Sequence, residues 1–379
     1  MSHASAAAPL RRVLIAERRL PAYRVALFEA LRAELALRRI ELIVAHGQPS
    51  APELSQHDDG QLEGATVAPA HYLGPLCWQP FDCRGMDLVI MGHENRLLFN
   101  HWLGLRPRRF KLACFGHGAN FASAHPSGWR EAFKRWSARR VDWWFAYTAL
   151  SQQRLVEAGV AAARITVVNN SLDTRALADQ IDALSTTQRQ AIRSRWGLTA
   201  GKTALFIGSL YPAKRIDLLL RAASLCAAVD ADFRLLVIGD GVQAPLLQHA
   251  ASQHGRWLRW LGADHGQQRA EAFAVASVLM LPAAVGLAIV DGFAAGLPLF
   301  TTDSAGHGPE IAYLQPGVNG ERVSAQAETY AAAVMAALGD GPRLQRLQAA
   351  ARQSASALSL EAMVTRFADG IEAALAVPR

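Results

Sequence analysis

The stretch LPAAVGLAIVDGFAAGLPLFTTDSAGHGPEIAYLQPGVNG, residues 281–320, decides how the rest of the chain is read. Its order is a buried strand, a glycine turn at Gly286, a helix from about Leu287 to Ala295 and a second strand over 298–302. A turn that opens a helix at the carboxyl end of a strand leaves backbone N–H groups unpaired, and these suit a phosphate or diphosphate. Val285, Gly286 and Leu287 are therefore candidate phosphate contacts. Asp291, about one turn into the helix, is placed for the hydroxyls of a ribose. A strand–helix–strand serving only as core would show the same pattern.

Between Glu271 and Asp291 the chain carries no charge, a length that on paper suffices to span a bilayer. Pro282 and Gly286 break that helix, because proline removes a backbone donor and clashes with the preceding turn. A helix ending near Ser277, a strand Val278–Leu281 and then the glycine turn account for the same apolarity through burial in a parallel sheet.

A chain of 379 residues, 51% hydrophobic and 19% charged, is long enough for two globular domains and too apolar for disorder. The N-terminus MSHASAAAPLRR has no apolar run long enough for a signal peptide. Cys77, Cys83, Cys114 and Cys226 form neither a CxxC pair nor a zinc-type cluster, so reduced thiols and a cytoplasmic location are expected. Residues 1–180 hold 22 Lys+Arg against 16 Asp+Glu, or +6, and residues 181–379 hold 17 against 16, or +1. The basic first half points to an anionic partner: membrane surface, lipid diphosphate or nucleic acid.

Short β-rich runs alternate with helical patterns throughout, the signature of βαβ units and parallel sheets. The runs are Val13–Ala16, Ile40–Ala45, Leu88–Met91, Phe110–Phe115, Trp144–Tyr147 and Ile165–Val168, then Ala204–Ile207, Arg234–Ile238, Leu258–Leu261, Val278–Leu281 and Leu299–Thr301. Between the two sets, Asp173–Thr199 is polar and helical in pattern. The expected organisation is therefore a first domain over 1–190, a second over 191–356, and a closing helix within 357–379.

Four further segments carry chemistry. In FIGSLYPAKRID, residues 206–217, a glycine–loop–lysine follows a strand and aims Lys214 at a phosphate, with Gly208 and Ser209 in the loop. A solvated Lys214–Arg215 pair at a helix start fits the same letters. LVIGDG, residues 236–241, sets Gly239 and Gly241 just past a strand, where a backbone can approach a ligand closely. FGHGAN, residues 115–120, places His117 between two glycines at a strand's carboxyl end. WREAFKRWSARRVDWW, residues 129–144, repeats Trp129, Phe133, Trp136 and Arg140 at helical spacing, either a core face or a face for an anionic membrane. Asp230–Asp232 precedes a strand and reads as a turn rather than a cation site, and no base-stacking module for nucleic acid is present.

These segments together resemble bacterial retaining family-4 glycosyltransferases of the group 1 type, most strongly over 204–323 and moderately over 110–175. The resemblance implies the GT-B fold, two Rossmann-like parallel-sheet α/β domains facing a central cleft. It also implies transfer of a sugar from a UDP- or GDP-sugar to a hydroxyl of a glycan or lipid-linked acceptor in surface polysaccharide synthesis, with retention. No cofactor and no metal are implied, the nucleotide-sugar being a substrate, and peripheral contact at the inner face of the cell membrane is expected.

By the same resemblance Lys214 and the Gly286–Leu287 backbone hold the diphosphate, with Val285 a further donor contact, while the Gly239–Gly241 turn and Leu261 flank the base. His117 lies beside the anomeric carbon. Tyr23 and Arg24 in LPAYR, Glu94 in MGHEN and Asn120 face the acceptor, and Asn170 and Asp173 in NNSLD match a structural N-x-x-D. The chain departs from the family in three places. Ser209 replaces the arginine of G-R-L-x-x-x-K, and the first glutamate of E-x7-E falls at Ala283, with Asp291 at the second. The usual glycine pair is missing beside Tyr23. A Val-Gly-Leu segment in place of Glu-Gly-Phe-Gly resembles a subset of the family, which brings His307 and Glu310 of HGPEI forward as sugar contacts. For Glu310, a carboxylate set on a helix N-terminus is the plain alternative. The competing expectation is a degenerate nucleotide-sugar-binding protein of the same fold, its site eroded at Ser209 and Ala283.

Overall fold

The computed structural model describes residues 10–49, 59–118, 128–263 and 266–378. The chain forms two compact units, Met1–Asp173 with Leu360–Arg379, and Thr174–Ser359. The first contains β1 (Arg11–Glu17), β2 (Ile40–His46), β3 (Thr66–Val67), β4 (His71–Leu73), β5 (Leu76–Trp78), β6 (Leu88–Gly92), β7 (Lys111–Gly116), β8 (Trp143–Ala146) and β9 (Ile165–Val167). Its main sheet runs β3-β2-β1-β6-β7-β8-β9, all parallel, and β4–β5 is a separate antiparallel hairpin.

Alternation along the strands builds two cores. Val13, Ile15, Ala113 and Phe115 face one side with Phe28 and Leu31 of the helix Val25–Leu37 and with Met363, Phe367 and Ile371 of the helix Leu360–Ala376. Leu14, Leu112, Cys114 and Trp144 face the other, with Phe99 and Leu103 of the helix Leu98–Leu105. A sheet covered on both faces needs these near-continuous apolar strands.

The final helix is locked into the first unit at both ends of its contact. Gly370 lets it approach the sheet, since a Cβ there would lie 2.6 Å from Thr166 Oγ1 and 2.8 Å from Phe145. At its C-terminus the buried Lys111 ammonium donates to the carbonyls of Ala374 (2.9 Å), Leu375 (2.7 Å) and Val377. A cation on the last carbonyls of a helix satisfies orphan acceptors and the dipole together. Lys111→Met is expected to cost about 2–3 kcal/mol, read as a lower urea midpoint for the first unit with that of the second unchanged.

The second unit contains β10 (Thr203–Ile207), β11 (Arg234–Ile238), β12 (Leu258–Trp260), β13 (Val278–Met280), β14 (Leu299–Thr302) and β15 (Gly320–Val323). Its parallel sheet runs β12-β11-β10-β13-β14-β15. In both sheets the order reverses beside the first strand, the arrangement of Rossmann sheets, whose ligands bind outside the carboxyl ends at that switch point.

The break between units falls at Asp173/Thr174 rather than near residue 190, and the closing helix starts at Leu360 rather than Ala357. The reason lies in the helices Arg175–Asp182 and Thr186–Trp196, both of which pack on the helix Gln267–Val275. Arg189 fastens them there, donating to the carbonyls of Leu184 (3.0 Å), Ala274 (2.9 Å) and Ile181. No helix among the described residues is long and apolar enough to cross a membrane.

Candidate active site

At the switch point of the second unit, the loops after β10 and β13 meet through one lysine. Pro212 opens a 3-10 turn over Pro212–Lys214, and Arg215, at φ +54°, turns the chain straight into the helix Ile216–Val229. That turn drives Lys214 inward, 7% exposed, and sends Arg215 outward to Asp217 at 3.0 Å. Only Arg215 is thus the solvated cation of the pair. Lys214 Nζ donates to the Ala284 carbonyl at 2.7 Å, and Ala284 sits at φ +47°, which non-glycine residues rarely adopt. Burial lowers the Lys214 pKa to about 8, with the Glu310 carboxylate acting in the opposite direction.

The Val285–Gly286 turn is held from beneath. Val285 N–H donates to His307 Nδ1 at 3.2 Å, and His307 Nε2 lies 2.8 Å from the Thr302 carbonyl. A carbonyl only accepts, so the ring proton sits on Nε2 and both nitrogens are spent on backbone. His307, expected against the sugar, is instead a strut of the turn, and burial depresses its pKa. Gly308 N–H donates to Val285 O at 2.7 Å, and a Cβ on Gly308 would meet Glu310 Oε2 at 2.6 Å. Glycine there lets the buried Glu310 carboxylate fold back toward the turn. The N–H groups of Gly286 and Leu287 find no acceptor among the described residues, and Gly286 borders open space.

Asp291 is buried in the helix Ala288–Ala294, and its Oδ2 pairs with Arg269 at 2.6 Å. Its Oδ1 has no hydrogen-bond partner among the described residues. Burial raises the carboxyl pKa and Arg269 lowers it. The expected ribose carboxylate therefore offers a single oxygen, the other being drawn onto Arg269.

Gly239 and Gly241 serve the protein's own backbone. A Cβ on Gly239 would lie 2.0 Å from the Gly208 carbonyl oxygen, and one on Gly241 would lie 2.6 Å from that of Leu210. The turns after β10 and β11 interlock through Leu210 N–H to Asp240 O (2.8 Å) and Gln243 N–H to Leu210 O (2.9 Å), and Gly239 N–H to Gly262 O (2.8 Å) and Trp260 Nε1–H to Gly239 O (2.9 Å) tie the second turn to the end of β12. Gly208 lies under Lys214, whose Cε and Nζ would be 3.6 Å from a Cβ, and Ser209 is exposed beside it. Leu261, just past β12, lines a cavity of about 560 Å³ with Arg195, Trp196, Arg259 and Gln267, and Lys214 is not among the residues of that lining.

In the first unit the carboxyl ends of β1, β6, β7 and β8 gather a second polar group. Arg24 is buried between the rings of Phe115 (4.5 Å from the guanidinium carbon), Tyr147 and the exposed Tyr23, and donates to Tyr147 Oη. Its Nη1 has no hydrogen-bond partner among the described residues. His117 packs edge-on against Tyr147 at 4.6 Å with part of its ring exposed. The crowding of protein around it, then Lys134 and Arg24, push its pKa down to about 4, so it is neutral near pH 7. Glu94 is paired with Arg96 at 2.7 Å. Asn170 is buried and donates its N–H to Tyr147 O at 2.7 Å. Asn120 lies outside the described residues.

Sequence reasoning missed Glu17, Arg269 and Ala284. Burial raises the Glu17 pKa, while Arg24 lowers it and Glu94 raises it further. A carboxylate directly after the apolar run Val13–Ala16 was the available signal for Glu17. Asp230 is a turn residue, accepting from Asp232 N–H and paired with Lys202 at 2.9 Å.

Two parallel-sheet α/β units with switch-point loops of this kind define the GT-B class of fold. Residues 201–340, all within the second unit, match the family of glycosyl transferases, group 1. A D-inositol 3-phosphate glycosyltransferase of Geodermatophilus obscurus is 32% identical over 200 residues, 48% of this chain and 43% of that protein. The match thus spans less than half of that relative's length. Anabaena HepE in complex with UDP shares the fold, with a TM-score of 0.70 and 15% identity over 95% of this chain and 99% of that one. The pneumococcal O-GlcNAc transferase GtfA, in complex with UDP and GlcNAc, gives 0.68 and 12% over 97% and 100%. A glycosyltransferase of Rickettsia africae gives 0.68 and 14% over 97% and 99%.

Proposed function

We propose that the protein is a retaining glycosyltransferase that moves a sugar from a UDP- or GDP-sugar to a hydroxyl of a glycan or lipid-linked acceptor in surface polysaccharide synthesis. The observation that carries this is the Lys214 ammonium at the switch point, beside the unpaired N–H groups of Gly286 and Leu287. A cation and aligned backbone donors in a half-buried site stabilise charge as it builds on a leaving diphosphate. The oxocarbenium-like sugar is then attacked on the face the diphosphate leaves, a route that needs no enzymic carboxylate at position 283. No metal enters this scheme. Asp291 Oδ1 receives a ribose hydroxyl, and His117, neutral, acts as a hydrogen-bonding group beside the sugar. The group 1 match and the UDP-bound relatives support the donor class.

A second reading is favoured by the Asp291–Arg269 pair and by Ala283, which together thin the donor contacts. It makes the protein a binder without turnover. Thermal-shift measurements with UDP, GDP and ADP, followed by nucleotide release from UDP- and GDP-sugars, separate the two. Selective stabilisation with release is expected. Stabilisation without release, acceptor extracts included, supports the binder, and no stabilisation by any nucleotide removes both.

A further inference from the structure

Strand β12 closes one side of the second unit's sheet, with no further strand beside it among the described residues. Its ladder to β11 uses the odd positions: Leu235 N–H donates to Trp257 O at 2.7 Å, and Leu261 N–H donates to Val237 O at 2.9 Å. By the alternation of a parallel pair, the N–H and C=O groups of Leu258 and Trp260 point away from β11. Neither residue's backbone meets a partner beyond the sheet among the described residues. Two hollows, of about 560 Å³ and about 420 Å³, open beside this strand, and both are lined by Trp196 and Arg259.

The surroundings of the edge are basic. Arg195, Arg234, Arg256 and Arg259 line the hollows, and the one carboxylate of the lining among the described residues is Glu271. Glu271 is buried and already paired with Arg195. Arg256 and Arg259 are exposed and make no ion pair among the described residues. The Trp196 ring holds the Arg195 and Arg259 guanidinium carbons 5.3 Å and 5.9 Å from its centroid, so both cations stay beside the strand.

We propose that this edge takes up an extended acidic segment of another protein as an added β-strand. In such an addition the main chain supplies the affinity, and hollows along the edge receive side chains of the added strand. The outward groups of Leu258 and Trp260 give the main-chain partners, and the two hollows give the room. Charge selects the occupant. A charged edge is a common guard against self-pairing, and a second copy laid on this one would set like charges against Arg256 and Arg259. An acidic segment meets the same cations with opposite sign. Lys214 and Gly286 line neither hollow, and the proposal does not depend on the transferase reading.

The test is fluorescence anisotropy of the full chain with the fluorescein-labelled peptide GEVEVEVG at low salt, with GKVKVKVG as the control. The acidic peptide should bind and the basic one should not. Two further versions of the acidic peptide carry N-methyl groups either on every valine or on every glutamate. Only one of these sets faces β12 in an added strand, so one version should lose about tenfold or more in affinity and the other should keep it. Arg259→Glu should weaken the unmodified peptide by about tenfold or more with its melting temperature unchanged, whereas Lys214→Ala should bind it as the wild type does. Absence of binding, equal binding of GKVKVKVG, equal affinities for the two N-methylated versions, or full binding by Arg259→Glu would each overturn the proposal. Loss of binding in Lys214→Ala would place the peptide in the phosphate site and overturn it too. A wild-type dimer that the acidic peptide dissociates would assign the edge to a second copy instead.

Discussion

Lys214→Ala is expected to slow nucleotide release from a UDP- or GDP-sugar by roughly 10²–10³-fold, the usual cost of removing one preorganised donor to developing charge. Stability should hardly fall, because the variant also removes an ammonium that burial already disfavours, as its depressed pKa shows. A melting curve beside the rate therefore separates chemistry from folding. The pH profile adds a readout that packing alone would not move. With a pKa of about 8 in the unliganded protein, Lys214 loses its charge as pH rises through that value, so kcat/KM for the donor should fall above about pH 8. Lys214→Arg stays charged at every working pH and should flatten that limb, whatever its absolute rate. A wild-type limb that persists unchanged in Lys214→Arg would remove the lysine from its assigned role.

Gly239→Ala and Gly286→Ala should fail in opposite ways, although both glycines belong to the same site. A methyl group on Gly239 would press on the Gly208 carbonyl oxygen at 2.0 Å, backbone against backbone, with no flexible side chain to yield. The expected loss is about 3–5 kcal/mol, seen as early unfolding of the second unit in urea. Gly286 borders open space and does not adopt positive φ, so its methyl costs the fold little. It enters instead the volume in front of the unpaired N–H groups, and donor affinity should fall with the melting temperature unmoved. Equal melting temperatures for the two variants would show that the interlock of the two turns has been misjudged.

The strands that cross either sheet were legible because burial on both faces makes them continuous apolar runs, as in Leu88–Met91 and Ala204–Ile207. The elements that escaped are short or edge strands: Thr66–Val67, the His71–Trp78 hairpin and Gly320–Val323, where two to four residues leave no period to count. At the site, Lys214 could be picked out because a strand, a glycine and a proline turn fix its neighbourhood within a few residues. What could not be picked out was partner choice. Asp291 and Arg269 are separated by more than twenty positions, and nothing local says that one oxygen of the carboxylate is already engaged. His307 was misplaced for a related reason, since a histidine between glycines near a ligand loop looks the same whether its nitrogens face substrate or backbone. Gly239 and Gly241 were noticed, but their purpose is to let two turns lock together.

The closing helix, pinned by Lys111 and seated through Gly370, has a consequence for biosynthesis. The first unit's fold is completed by residues that leave the ribosome only after the whole of Thr174–Ser359 has emerged. Unit two can thus reach its native state during translation while its predecessor waits, one apolar sheet face only partly covered by the helix Val25–Leu37, for Met363, Phe367 and Ile371 to arrive. A nascent chain stalled before Leu360 would expose that surface to chaperones, so production of this protein in cells is sensitive to events beyond Ser359.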